Sequence, residues 1–317
     1  MEHLLLWVGF NLFILLLLAL DLGVFERRPH AIRIREALAL TCFWVVLALL
    51  FNLVVYFWRG QRIALQFLTA YLVEKSLSVD NIFVFLLIFS YFAVPTKFQH
   101  RILFWGIVAA LAMRGLFIVA GVALLRQFAW LTYVFGVFLL VLAVKLAAGK
   151  ERQIHPERNP VLTILRRFLP VSRPLEEGRF FVRQDGRRLV TPLFVVLVVV
   201  ETTDVVFAVD SVPAVLAISN DPFIVYSSNV FAILGLRALY FALAGIMGRF
   251  HRLHYGLSVI LAFIGVKMLL ARHYEMPEVL ALGVIVVILV VSVVASILRP
   301  LEKPAASPSP AHEGPSG

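Results

Sequence analysis

Two acidic pairs with the same spacing stand inside strongly apolar stretches of the chain: Glu74 with Asp80, and Asp204 with Asp210. A fifth carboxylate, Glu201, precedes the second pair by three residues. On insertion scales, each ionised carboxylate costs about 2.5 to 3.5 kcal/mol at the centre of a membrane helix. Such a penalty persists only where carboxylates meet cations, protons or basic side chains. The acidic pairs therefore predict a buried site that handles ions.

Oxygen donors accompany these carboxylates, and no histidine lies beside either motif. Asn81 and Ser211 directly follow the two pairs. Pro213 has no N–H and its ring crowds the preceding turn, which frees the carbonyl oxygen of Val209 as a further ligand. Such oxygens form a hard site suited to Mn²⁺, Mg²⁺ or Ca²⁺, and the residue types do not rank these ions. The predicted metal ligands are Glu74, Asp80, Asp204 and Asp210, assisted by Glu201, Asn81, Ser211 and the carbonyl of Val209.

Five basic residues also fall within apolar stretches: Arg114, Arg237, Lys75, Lys145 and Lys267. The two arginines lie near the middle of their stretches, so we expect each to pair with an acid. Lys145 and Lys267 lie nearer helix ends, where lysine stems can extend to the membrane surface. Lys75, beside Glu74, would compete with a bound cation. All five are candidates for gating or counter-ion roles; the alternative is that they balance the five acids as fixed internal salt bridges.

The elements that position these residues are membrane-spanning helices. Of 317 residues, 61% are hydrophobic and 15% are charged, and the mean hydropathy is +0.93, which is unlike a soluble domain. The single cysteine, Cys42, excludes a disulfide within the chain and a cysteine-rich metal site. Windows of about 20 apolar residues predict an all-α polytopic membrane protein with nine spans. These spans lie near 4–24, 38–58, 64–93, 101–125, 129–148, 190–218, 223–247, 255–271 and 277–298.

The positions of Lys and Arg predict the orientation of the spans. With the N-terminus outside and the C-terminus in the cytoplasm, inner loops carry twenty of the 29 Lys and Arg residues and outer loops carry four. This bias follows the positive-inside rule. The formal net charge of +10 therefore reflects topology and gives no indication of nucleic acid binding, although the basic inner loop could contact anionic lipid.

The chain contains an internal repeat. Three charged landmarks recur in the same order across a polar loop that contains several prolines: Asp80 and Asp210 at an offset of 130, Arg114 and Arg237 at 123, and Lys145 and Lys267 at 122. Each unit has three spans, an odd number, so the second unit runs inverted to the first, as in many transporters. The predicted organisation is a first membrane part at 1–148 with repeat one at about 64–148, a cytoplasmic basic linker loop at 149–189, a second membrane part at 190–298 with repeat two at about 190–271, and a disordered cytoplasmic tail at 299–317.

The spacing within each acidic pair favours an interruption of the helix that carries it. Six residues advance an ideal helix by about 600°, which leaves the two carboxylates of a pair roughly 120° apart. A straight helix cannot direct both at one point, and Pro213 offers a cause for a break in the second unit. In the linker loop, a short surface helix is expected around Val161–Leu169.

The two motifs closely resemble those of the TerC/Alx family of integral membrane proteins. They read Glu74-Lys-Ser-Leu-Ser-Val-Asp80-Asn81 and Glu201-Thr-Thr-Asp204-Val-Val-Phe-Ala-Val-Asp210-Ser211-Val-Pro213, and the resemblance covers about residues 1–300. It implies a multi-pass protein of the bacterial inner membrane, associated with tellurium resistance in name and with manganese efflux in function. It also implies that the metal-handling acids are Glu74, Asp80, Glu201, Asp204 and Asp210. Other members are linked to assembly of membrane proteins or to metal loading of exported enzymes.

The residues and the resemblance together predict a secondary transporter that exports Mn²⁺ in exchange for protons, with Ca²⁺ or Mg²⁺ as alternative cargo. The alternative is a non-transporting scaffold or assembly factor with a protein partner, in which buried charges fix the helix packing. An enzyme is not expected, because neither motif offers histidine ligands or a nucleophile with a base. The expected partners are a divalent metal ion, protons and membrane lipid, with no resident cofactor and no nucleic acid.

Overall fold

The structure, a computed structural model, describes residues 2–25, 34–128, 130–148, 179–184, 187–244, 253–271 and 276–298. Within these ranges ten helices form most of the molecule, and a short β-hairpin precedes the sixth. The helices are α1 (Glu2–Phe25), α2 (Ile34–Arg59), α3 (Gln61–Tyr91), α4 (Thr96–Gln127), α5 (Leu131–Ala147), α6 (Pro192–Leu216), α7 (Pro222–Leu234), α8 (Leu236–Ala244), α9 (Leu253–Leu270) and α10 (Glu278–Leu298). The hairpin strands are β1 (Phe181–Gln184) and β2 (Arg187–Val190).

These helices correspond to the nine predicted spans, with α7 and α8 together forming the seventh. Five of the spans, namely α2, α4, α6, α7 with α8, and α10, are long and apolar enough to cross a membrane. Shorter apolar helices of 10–17 residues lie within α1, α5 and α9. The remaining helix, α3, is 31 residues long and carries the polar side chains of the first acidic motif. The predicted all-α polytopic membrane fold is confirmed.

The two three-helix units pack in the pattern that a two-fold relation between them requires. The first helix of unit one, α3, packs against the second helix of unit two, α7, and α6 packs against α4 in the reciprocal contact. The third helices, α5 and α9, pack against each other, and α3 also contacts α6. Both acidic helices therefore lie at the junction of the units, where transporters built from inverted repeats place their substrate sites.

Two glycines bring α5 and α9 into backbone contact. A Cβ atom at Gly265 would lie 2.9 Å from the carbonyl oxygen of Gly136, and one at Gly136 would lie 3.2 Å from the carbonyl oxygen of Gly265. Membrane helices gain much of their association energy from such close approach at small residues. The glycine pair thus fixes the α5–α9 crossing that joins the two units.

Both acidic helices are continuous, contrary to the interruption favoured by the spacing of the acids. The helix α3 runs unbroken through the first motif and α6 through the second. Pro213 lies in the last turn of α6. Because the hydrogen bond that proline removes is lost so near the end of the helix, its loss does not divide α6 into two segments. The break occurs instead at Gly235, between α7 and α8 and two residues before Arg237.

The C-terminal end of the predicted linker loop at 149–189 is ordered as the β-hairpin. Phe181 pairs with Val190 across the strands, and its ring lies 4.9 Å from that of Phe194 on α6. This hairpin was not predicted from the sequence, because strands of four residues are too short to show a clear periodicity. The short helix expected near the middle of the loop and the tail at 299–317 lie outside the described residues.

Candidate functional site

Glu74 lies at the centre of a buried polar cluster between the two units. Its side chain is fully buried, and its Oε2 lies 2.5 Å from Nη1 of Arg114 on α4. Its Oε1 accepts a hydrogen bond of 2.9 Å from Nδ2 of Asn229 on α7. Hydrogen bonds to an ionised carboxylate are among the stronger ones in proteins. A guanidinium and an amide therefore hold both oxygens of this carboxylate in place.

Arg114 links the first helices of both units. Its Nη2 lies 3.6 Å from Oδ1 of Asp204 on α6, and its Nη1 donates a long hydrogen bond of 3.4 Å to Oδ1 of Asn229. Only 4% of the Arg114 side chain is exposed. A buried guanidinium is costly unless carboxylates compensate it, and here two carboxylates do so. One side chain thereby ties α4 to α3, α6 and α7.

Several polar atoms beside these ion pairs have no hydrogen-bond partner among the described residues. They are both carboxylate oxygens of Glu201, Oδ2 of Asp204, Oγ of Ser211 and Nε of Arg114. Asp204 and Ser211 are 4% and 3% exposed. Seven residues separate them, nearly two helical turns, so both lie on one face of α6. Buried polar atoms without partners are rare in native proteins and call for a specific explanation, such as an ion or a catalytic role.

Carboxylates outnumber guanidinium groups in this cluster. Glu74, Glu201 and Asp204 would carry three negative charges when ionised, and Arg114 offsets one of them. Asp80 and Asp210 lie on the same two helices, but their side chains are outside what the structure describes. In the described ranges, no three His, Cys, Asp or Glu side chains come close enough to form a metal centre. A bound cation or protons would compensate carboxylates that no described donor contacts.

Lys75 donates a hydrogen bond to a backbone carbonyl at the helix break. Its Nζ lies 3.2 Å from the carbonyl oxygen of Ala232, which in a continuous helix would accept from the N–H of Leu236. The missing side chain of Gly235 makes room for this contact. A Cβ atom at Gly235 would lie 2.6 Å from Nζ and 3.1 Å from Cβ of Trp44. Lys75 therefore caps the carbonyl that the break leaves free.

Two other predicted ligands also lie along the acidic helices. Asn81 is buried on α3, seven residues after Glu74 and so on nearly the same face. Val209, whose carbonyl was predicted as a ligand, has a half-exposed side chain on α6. The hydroxyl groups of Ser78 and Thr203 donate to carbonyl oxygens of their own helices. Side-chain hydroxyls thus satisfy part of the backbone polarity beside the cluster.

The remaining predicted bases have different surroundings. Arg237 is buried on α8, and Lys145 is exposed near the end of α5. Lys267 forms an ion pair of 3.2 Å with Glu278 at the start of α10. Gln66 on α3 donates to the same carboxylate at 3.0 Å. Lys267 therefore takes part in a polar junction of α3, α9 and α10 rather than in the Glu74 cluster.

Asn229 is a site residue that the sequence analysis missed. It is 1% exposed and contacts both Glu74 and Arg114. The available signal was the run Ser227-Ser228-Asn229, three consecutive polar residues in a largely apolar span. Intramembrane polar side chains of this kind usually face the protein interior. Only charged residues were considered as site residues in that span, so the amide of Asn229 was not predicted.

The fold and the cluster define an integral membrane protein with a charged site buried between two packed helical units. Residues 59–303 match the profile of the Integral membrane protein TerC family, so the chain belongs to that family.

The chain is 48% identical over 280 residues to the uncharacterised membrane protein STKORF319 of Myxococcus xanthus, covering 88% of each chain. It is 46% identical over 294 residues to the protein Alx of Escherichia coli K12, covering 90% of this chain and 92% of the relative. The name of that relative gives it a suggested role as a membrane-bound redox modulator. No solved structure matches the chain.

Proposed function

We propose that this protein is a secondary transporter that exports a divalent metal ion, Mn²⁺ in the first instance, in exchange for protons. The observation that supports this proposal is the set of unpartnered oxygen atoms of Glu201 and Asp204 beside the ion pairs of Arg114, with the unpartnered Oγ of Ser211 nearly two turns further along α6. Fixed structural charges would be expected to satisfy one another. Oxygen atoms without partners at the junction of two units suit a cargo that binds and leaves.

The donor set favours a hard cation. Carboxylate and hydroxyl oxygens accept Mn²⁺, Mg²⁺ and Ca²⁺, and Glu201 and Asp204 offer two carboxylates to one divalent ion. Asp80 and Asp210 would add carboxylates from the same two helices, as the motif predicts. The preference for manganese comes from the family resemblance, since oxygen ligands alone do not distinguish these ions.

Exchange for protons follows from the energetics of moving charge. Carrying two positive charges outward against about 100 mV costs roughly 4.6 kcal/mol, which a passive pathway does not supply. Carboxylates that have released the metal can take up protons and return them inward. Alternation of metal and protons on Glu201 and Asp204 would couple the two fluxes at one site.

The proposed setting is the bacterial inner membrane, with the N-terminus outside and the C-terminus in the cytoplasm. The distribution of Lys and Arg between predicted loops supports this orientation. The membrane lipid, the metal ion and protons are then the proposed partners. No enzymatic reaction is proposed, since the chemistry is binding and release.

A scaffold or assembly role is the second candidate. The paired residues Glu74, Arg114 and Asp204 favour it, because fixed ion pairs between helices are what such a role needs. The name of the Escherichia coli relative suggests a third direction, a redox role. A disulfide formed within this chain could not serve that role, because Cys42 is its single cysteine.

The test is Mn²⁺ flux in proteoliposomes under an imposed pH gradient, with Ca²⁺ and Mg²⁺ as competitors. We expect gradient-driven flux for the wild type and its loss in Asp204→Asn. Asp221→Asn is the matched control: Asp221 caps α7 and pairs with the partly exposed Arg59, and asparagine caps helices equally well. Absence of flux for every cation from correctly inserted wild-type protein would overturn the transport proposal and favour the scaffold.

A further inference from the structure

The two halves of the site are not equivalent at one position. The offset of 123 residues that relates Arg114 to Arg237 also relates Gly106 on α4 to Asn229 on α7. The offset of 130 residues between the acidic motifs relates Glu74 to Asp204. Glu74 of one half therefore corresponds to Asp204 of the other, and Asn229 corresponds to Gly106. The second half has no amide at this position.

This difference coincides with the difference in hydrogen bonding. In the first half, Asn229 and Arg114 engage both oxygens of Glu74. In the second half, Oδ2 of Asp204 and both oxygens of Glu201 have no partner among the described residues. The unpartnered carboxylate oxygens thus lie in the half that has glycine where the other half has asparagine, whereas the unpartnered oxygen near Glu74 in the first half is the hydroxyl of Tyr71.

The geometry at Gly106 connects the two facts. A Cβ atom built at Gly106 would lie 3.3 Å from Oε1 of Glu201 and 3.7 Å from Cγ1 of Val200. Glu201 therefore lies directly against position 106 of α4. The corresponding position on α7 carries a hydrogen-bond donor, the amide of Asn229. An asparagine at this position would place an amide within reach of the Glu201 carboxylate. With glycine, no side chain at position 106 can occupy those lone pairs.

We propose that Gly106 is a positioning residue whose missing side chain keeps the carboxylates of the second half free for the cargo cation. The inference rests on the proposed transport function and assigns different roles to the two acidic motifs. Glu74, held by Asn229 and Arg114, is the fixed member that positions the helices. Glu201 and Asp204 are the members that exchange ligands, because both oxygens of Glu201 and Oδ2 of Asp204 have no donor among the described residues, although Oδ1 of Asp204 lies 3.6 Å from Nη2 of Arg114.

The experiment adds a donor at position 106 and measures cation binding separately from transport. Gly106→Asn and Gly106→Ser supply an amide and a hydroxyl, whereas Gly106→Ala adds the Cβ atom without a donor. Gly115→Ala on the same helix is the packing control, since its Cβ atom would only touch the ring of Tyr226 at 3.4 Å. Mn²⁺ affinity is measured by titration calorimetry on detergent-purified full-length protein, with the melting temperature recorded for each variant.

We expect Gly106→Asn to weaken Mn²⁺ binding about 10- to 100-fold, the range found when groups around a metal ligand are altered. Gly106→Ser should weaken it in the same direction, and it carries the test if the asparagine variant does not fold. Gly106→Ala should change the affinity less than about threefold, which is under 0.7 kcal/mol by the relation of affinity to free energy.

Wild-type affinity in both donor variants would overturn the inference. An equal loss in Gly106→Ala and Gly106→Asn would also overturn it, because space rather than a donor would then control binding. Failure of the proposed function has a different signature, namely no Mn²⁺ binding or flux in the wild type itself.

Discussion

Glu74 Oε2 lies 2.5 Å from Arg114 Nη1, with 0% and 4% of the two side chains exposed. This ion pair joins α3 to α4 within unit one, and the same guanidinium reaches Asp204 in unit two. Buried pairs of this kind contribute little net stability when formed, but removal of one member leaves an uncompensated charge. Arg114 is therefore the residue whose loss should affect both units at once.

Arg114→Met should destabilise the protein by about 3 to 5 kcal/mol, because two buried carboxylates lose their counter-ion. Arg59→Met is the control, since Arg59 and Asp221 are 30% and 23% exposed and such pairs contribute about 0 to 1 kcal/mol. Reversible unfolding in mixed micelles measures both. A change for Arg114→Met no larger than that of the control would contradict the bridging role.

Glu201→Gln and Glu74→Gln should separate function from stability. Glu201 has no described hydrogen-bond partner, so neutralising it removes an uncompensated charge and should keep or raise the melting temperature while Mn²⁺ flux is lost. Glu74→Gln breaks the pair with Arg114 and should cost about 3 kcal/mol of stability. Thermal melts and proteoliposome flux on both variants test this contrast. Normal flux in a stable Glu201→Gln protein would exclude Glu201 from the transport site.

Lys75 and Gly235 should be energetically coupled across the break between α7 and α8. Lys75→Met leaves the carbonyl of Ala232 without its donor, at a cost of about 1 to 3 kcal/mol. Gly235→Ala places a methyl group 2.6 Å from Nζ, so we expect the ammonium to move away and the hydrogen bond to be weakened in that background. A double-mutant cycle should give a coupling energy of about 1 kcal/mol or more. Additivity within about 0.3 kcal/mol would show that the two residues act independently.

Gly265→Ala should loosen the α5–α9 crossing. Its Cβ atom would lie 2.9 Å from the backbone oxygen of Gly136, and backbone cannot move aside as a side chain can, so we expect a loss of about 1 to 3 kcal/mol. Gly283→Ala on α10 is the control, because a Cβ atom there meets nothing within 4 Å. Comparison of the two unfolding midpoints measures the effect. Equal midpoints would argue against close backbone packing at the crossing.

The sequence predicted the helices of the nine spans because most of them are apolar runs, five of them long enough to cross a membrane, and apolar length is a local property. It also located the acidic motifs and the repeat, since charge in an apolar segment is conspicuous. The expected break at Pro213 was wrong because the effect of a proline depends on its distance from the end of the helix. The break at Gly235 was not predicted, and the residue that donates to a carbonyl beside it, Lys75, lies 160 residues earlier in the chain.

By itself the sequence determined the class of protein, the number of spans and the helices that carry the acids. These follow from hydropathy and charge along the chain. Only the tertiary structure decided which acids are paired and which are not. Pairing depends on the neighbours that packing brings from other helices: Asn229 and Arg114 at Glu74, but the bare backbone of Gly106 at Glu201. The neighbours that packing supplies from other helices, rather than the type of the acid itself, separate a fixed carboxylate from one that is available to an ion.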